Sequence, residues 1–203
     1  MDWTVEFVTS MDRDSVRFMR DTLQAKLKAE SGAYGEAARI LWELLIEARH
    51  GKKREWECMT MVHMGKVYRV LRWGIAAKLF EDAIKLADTL GLAIAKAMAL
   101  AEWGEMNCQW GKFDESLKQL TQALALVPPG DAASRRSILL DLVITHEGLD
   151  DLEQCRTLLK EVLAIDREIG ASDTGEDIDH LQRIEQGLAA RGGGAVRQPP
   201  AGR

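Results

Sequence analysis

Residues 103–128 read "WGEMNCQWGKFDESLKQLTQALALVP", and the spacing of their small residues decides the fold. Ser116 stands where a second helix begins, and Leu120 follows four positions later. A small residue at a helix start lets a neighbouring helix approach closely, and a large apolar residue nearly a full turn on fills the gap between them. Between the two helical segments lies "QWGKFDE", where Gly suits leaving one helix and Asp suits capping the next. The stretch therefore predicts a helix, a tight turn and a second helix ended by Pro128.

Outward from this segment the pattern recurs. Small residues at Ala37, Ala76, Ser116 and Cys155 are separated by 39, 40 and 39 positions. The large residues Leu41, Phe80, Leu120 and Leu159 follow each by four, and Leu44, Ala83, Ala123 and Val162 come three later. The preceding helix repeats too: Ala25, Gly65, Gly104 and Val143 are separated by 40, 39 and 39. No helix of such a pair can bury its apolar face alone, so successive pairs stack into a continuous core.

Composition agrees with an all-α chain. The strong helix formers Ala, Leu, Glu and Lys abound, prolines number only 4 of 203 residues, and no alternating β-branched runs occur. With 46% hydrophobic residues there is enough apolar material for a substantial core. The net charge of −5 argues against nucleic acid as a partner, because phosphate binding needs a basic field. No uncharged apolar run approaches the roughly 18 residues of a membrane helix, and the first residues lack the apolar core of a signal peptide. Three cysteines, an odd and scattered set, fit a reducing cytoplasm better than a disulfide framework.

The unit resembles a tetratricopeptide repeat (TPR), and residues 103–128 carry the resemblance best. Trp103-Gly104, Asn107, Gly111, Ser116, Leu120, Ala123 and Pro128 answer the family's Leu-Gly, aromatic, Gly, Ala, Phe, Ala and Pro in order. Gly65, Tyr68, Ala76, Phe80 and Ala83 do so in the second repeat, whereas Lys28 and His146 replace the usual aromatic in the first and fourth. The family period is about 34 residues, and the longer spacing here resembles the kinesin light chain type. The expected organisation is a right-handed α-solenoid of about four helix pairs. It comprises an N-terminal extension (1–10), repeats over about 11–52, 53–91, 92–130 and 131–169, a capping helix (170–191) and a disordered tail (192–203).

Chemistry is hard to find. Cys58 and His63 stand five apart, on poorly matching helix faces, and no CxxC, HxxxH or HExxH occurs. No strand precedes a phosphate-cradling glycine motif. No nucleophile, base and orienting residue share a coherent spacing, so neither an enzyme nor a cofactor is expected. The cysteines read as small buried helix residues, while His63 and His146 have positions that could face a ligand. The basic run "RHGKKR" at 49–54 reads as a solvated junction between repeats. Trp103 and Trp110 fall at packing positions and are expected in the core. Trp3, Trp42, Trp56 and Trp73 have no core place, and exposed ones would anchor a partner.

In the family the first helices line a concave face, so the resemblance implies a ligand groove of first-helix residues. Transferred by position, these are Thr22 and Lys26, then Met59, Val62, Lys66 and Arg69, then Met98, Glu105 and Gln109, with Ile144 and Glu147 in the fourth repeat. Ala101 and Glu105 occupy places where the family's carboxylate clamp needs a cation and its partner, which disfavours that clamp. The expected function is a non-enzymatic cytoplasmic adaptor that binds another protein or a peptide segment, without nucleic acid or membrane. The alternatives are a regulatory sensor of a small effector or signalling peptide, and a self-associating scaffold in which the partner is a second copy.

Overall fold

The computed structural model describes residues 12–172 and 174–193. Residues 1–11, 173 and 194–203 lie outside the described residues, the expected N-terminal extension among them; of the expected tail (192–203), residues 192 and 193 instead continue the last helix. Nine α-helices run through them, and no strand occurs among the described residues. They are α1 (Arg13–Glu30), α2 (Tyr34–His50), α3 (Arg54–Leu71), α4 (Trp73–Leu90), α5 (Ala93–Gln109), α6 (Phe113–Leu126), α7 (Ala132–Gly148), α8 (Leu152–Ile169) and α9 (Gly175–Gly193). The fold is all-α and of the solenoid class, built from antecedent and following helices joined by short turns.

Local chemistry sets the helix ends. Asp12, Asp131 and Asp151 accept backbone N–H bonds from Ser15, Ser134 and Gln154 at 2.9, 3.0 and 3.2 Å, each satisfying one orphan donor of a first turn. At the opposite ends Gly91 and Gly170 take left-handed φ of 69° and 67°, where a Cβ would be strained. Lys52 and Asp150 occupy equivalent turns with φ of 53° and 61° despite carrying side chains.

All the small and large residues of the repeat register are buried. Ala37, Ala76, Ser116 and Cys155 have no exposure, nor have Phe80, Leu120 and Leu159, and the most exposed of the set, Leu44, reaches only 4%. The glycines of the first helices admit the large residue of the second. A Cβ on Gly65 would stand 2.8 Å from Cδ1 and Cζ of Phe80, and one on Gly104 would stand 2.6 Å from Cγ of Leu120. Where Ser116 replaces the usual Ala, its hydroxyl donates to the Gly104 carbonyl at 2.8 Å and lies 2.9 Å from the Thr145 hydroxyl. That satisfies two buried polar groups that would otherwise be costly.

The chain divides into two compact units, Met1–Glu102 and Trp103–Arg203, the division falling within α5. In the first, α2 packs on α1 and α3, and α3 on α4. In the second, α7 packs on α6 and α8, and α8 on α9. Val143, Cys155, Leu159 and Ile184 form one buried cluster that ties α9 to the preceding pair. Arg136 reinforces it, donating to the fully buried Asp166 carboxylate at 2.5 Å and to Asp177 of α9 at 2.5 Å. The hydrogen bond to Asp166 raises the Arg136 pKa, so the cation is permanent.

Candidate functional site

Within the first unit, α1, α3 and α5 enclose a cavity of about 420 Å³, a size within the range of small-ligand and side-chain pockets. One face of each helix supplies its wall at spacings of three or four residues: Thr22, Lys26 and Ala29 from α1, Val62, His63, Lys66 and Val67 from α3, Met98 and Glu102 from α5. Ala25 and Leu41, both part of the repeat register, complete an apolar floor.

The rim is charged and internally balanced. Lys66 Nζ stands 2.5 Å from Glu102 Oε1, and the Arg69 guanidinium lies 3.7 Å from the other carboxylate oxygen. Lys26 and Glu30, which also line the cavity, stand 3.8 Å apart. His63 sits deeper. Burial pushes its pKa down, and the charges of Lys66 and Lys26 push the same way, so the imidazole is neutral at neutral pH. The Thr22 hydroxyl is buried with no hydrogen-bond partner among the described residues.

A second cavity of about 400 Å³ lies within the other unit. Glu105, Cys108 and Gln109 of α5, Phe113 of α6, and Asp141, Ile144, Glu147 and Gly148 of α7 line it. Phe113 packs against the bare backbone of Gly148, where a Cβ would stand 2.5 Å from Cδ1 of the ring. Glu105 accepts from Gln109 Nε2 at 3.1 Å, and Glu147 stands 2.9 Å from His180 Nε2.

The groove positions transferred from the sequence are thus sorted into two places. Thr22, Lys26, Val62, Lys66 and Met98 meet around the first cavity. Glu105, Gln109, Ile144 and Glu147 meet around the second. Met59 and Arg69 belong to neither lining, and Arg69 reaches the first only through Glu102. Sequence reasoning passed over Glu30 and Glu102, although each follows a groove position by one turn on the same helix face.

Other sequence expectations resolve individually. Trp110 is not in the core: it is 60% exposed, because α5 ends at Gln109 and the turn carries the indole outward. Trp103 is half-buried. Trp42 is exposed and donates its indole N–H to the Tyr68 hydroxyl at 3.2 Å. Trp56 stacks on Phe18 at 4.6 Å, with the Lys53 ammonium 3.8 Å over its ring. Trp3 and the side chain of Trp73 lie outside the described residues. The basic run is partly paired locally: Arg49 and Arg54 share the buried Glu57, at 2.9 and 2.6 Å, and Lys53 binds Asp14 at 2.9 Å. Cys58, Cys108 and Cys155 are buried free thiols. Burial pushes Cys58 and Cys155 up to about 11. Asn107 is buried and donates to Gln119 at 2.7 Å.

No protein-family model matches the chain, and no curated protein does. Solved structures do. The kinesin light chain-like protein of Podosopora anserina, with nearly identical TPR-like repeats, superposes with a TM-score of 0.69 at 15% identity over 89% of this chain and 90% of that one. BtubC (BKLC) from P. vanneervenii superposes at 0.66 and 14% identity, over 81% of this chain and 68% of its own. A MamA double mutant (RS-1) gives 0.54 at 18% identity, over 90% and 98%. At such identities the likeness establishes the fold alone, that of TPR-like repeats, kinesin light chain type included.

Proposed function

We propose that the chain is a non-enzymatic adaptor that holds a peptide segment of another protein against α1, α3 and α5. The observation that carries the reading is the first cavity. It has an apolar floor able to take a side chain, charges at the rim to orient a backbone or polar group, and an unused buried donor in Thr22. Recognition sites combine these features, with apolar area for affinity and a few placed polar groups for specificity. In this reading the chain works in the reducing cytoplasm, where its three buried thiols stay free.

The test begins with peptides selected from a displayed random library on the purified chain. Their affinities are then measured by fluorescence anisotropy for the parent, Lys66→Glu and Thr22→Val. Lys66→Glu places a second acid beside Glu102 and is expected to weaken the selected peptides at least tenfold, about 1.4 kcal/mol, with an unchanged circular dichroism spectrum. Equal binding by both variants and the parent would move the site away from this cavity.

A further inference from the structure

One helix carries its apolar residues on the wrong side for its own fold. Along α1, Val16, Met19, Leu23 and Leu27 are 39%, 53%, 56% and 57% exposed. Their spacing of three, four and four places them on a single stripe, opposite Ala25, the one fully buried residue of the helix. Four large apolar residues on one outward face form a contiguous patch, unlike scattered surface hydrophobics. By contrast α9 presents one exposed large apolar residue, Ile178, among its described positions.

The stripe is close to its own complement when reversed. Laid antiparallel against a second α1, with the two-fold axis between residues 21 and 22, Val16 meets Leu27 of the copy and Leu23 packs beside Met19 and Arg20. The same register sets Arg13 opposite Glu30 at both ends. Arg13 is exposed and makes no ion pair among the described residues, and Glu30 is held only by Lys26 at 3.8 Å. Arg20 and Arg17, the remaining cations of this helix half, are already neutralised by Asp21 and Glu47 at 2.6 and 2.8 Å. A head-to-tail contact would instead set the apolar stripe of α1 on the polar outer face of α9.

We propose that α1 is a homodimerisation surface, in which two copies of the chain pair antiparallel through Val16, Met19, Leu23 and Leu27. The contact is isologous and closes on itself, so it yields a dimer and no filament. It uses the outward side of α1, and of the residues lining the cavity it engages only Glu30, at the end of the paired helices.

Sedimentation of the full chain from micromolar to near-millimolar concentration tests this, with two kinds of variant. The parent is expected to pass from monomer to dimer and go no further. Leu23→Glu with Leu27→Glu, at exposed positions that leave the helix content intact, is expected to stay monomeric throughout. Arg13→Glu should weaken the dimer severalfold, and adding Glu30→Arg should restore it. A parent that is monomeric at all concentrations overturns the proposal. So does a dimer that survives the double glutamate variant, or a charge swap that fails to rescue, which removes the antiparallel register. If deletion of residues 1–11 turns a monomeric parent into a dimer, the chain's own first segment covers the stripe and the second copy is ruled out as its natural occupant.

Discussion

Replacing Gly65 by Ala sets two known effects against each other at one atom. In an α-helix interior Ala is favoured over Gly by about 1 kcal/mol. Here the new methyl would sit 2.8 Å from Cδ1 and Cζ of Phe80, and closer still to Cε1. Carbon atoms in good contact lie roughly 3.5–4 Å apart, so the ring must move by about 1 Å or α3 must lift from α4. Phe80 has no exposed surface into which it could turn. Overpacking of this kind costs roughly 1–3 kcal/mol, and three overlapping ring atoms place it near the top. The net expectation is a loss of about 2 kcal/mol, or a fall in Tm of roughly 4–8 °C for a chain of this size. The first repeat indicates the remedy, since it carries Ala25 and Leu41, both buried, at the equivalent positions. Phe80→Leu alone should cost about 1 kcal/mol from lost packing, and the double variant, recreating the Ala/Leu pair, should be more stable than the two losses summed by at least about 1 kcal/mol. Urea denaturation followed by circular dichroism measures all four proteins. Gly65→Ala as stable as the parent, or strictly additive effects, would refute the small-against-large logic assigned to the repeat.

Other expectations follow from single residues. Arg136→Ala strands the fully buried Asp166 carboxylate and releases Asp177. Because Arg136 itself is a quarter exposed, the loss should fall near the lower end of buried-pair values, about 3 kcal/mol, and hydrogen exchange should show α8 and α9 opening first. Lys52→Gly relieves a left-handed residue and should stabilise by up to about 1 kcal/mol, read from the urea midpoint. His63 has a folded pKa depressed below its ordinary 6.5, so the unfolded chain takes up the proton first. The stability tied to His63 is therefore present above pH 6.5 and declines as pH falls below it, and His63→Gln should flatten that part of the urea-midpoint profile between pH 5 and 7.5. Cys58 and Cys155, pushed up to about 11, should resist a thiol reagent at pH 8 until the chain unfolds. Rapid labelling of the native protein would contradict their burial.

Much of the fold is legible in the sequence because helix packing is a matter of residue size at fixed spacing. Ala37, Leu41 and Leu44 and their counterparts recur every 39 or 40 positions, and that period alone implies which sides of which helices meet. The structure finds the whole register buried. What the register cannot convey is where a side chain goes at a helix boundary. Trp110 shares the third repeat's pattern, yet α5 ends one residue before it and turns it outward. Nor does periodicity reveal pairing between helices distant in sequence. The bond of Lys66 to Glu102, the orphaned Thr22 hydroxyl and the neutral His63 exist only once α1, α3 and α5 stand around one cavity.

The sequence by itself determined an all-α repeat architecture, because burying a stripe of each helix demands small residues where backbones approach and large ones where they part. Only the tertiary structure decided which transferred groove positions share a cavity and which side of α1 lies open. Those depend on desolvation and on contacts across 30 or more residues, which no local spacing encodes.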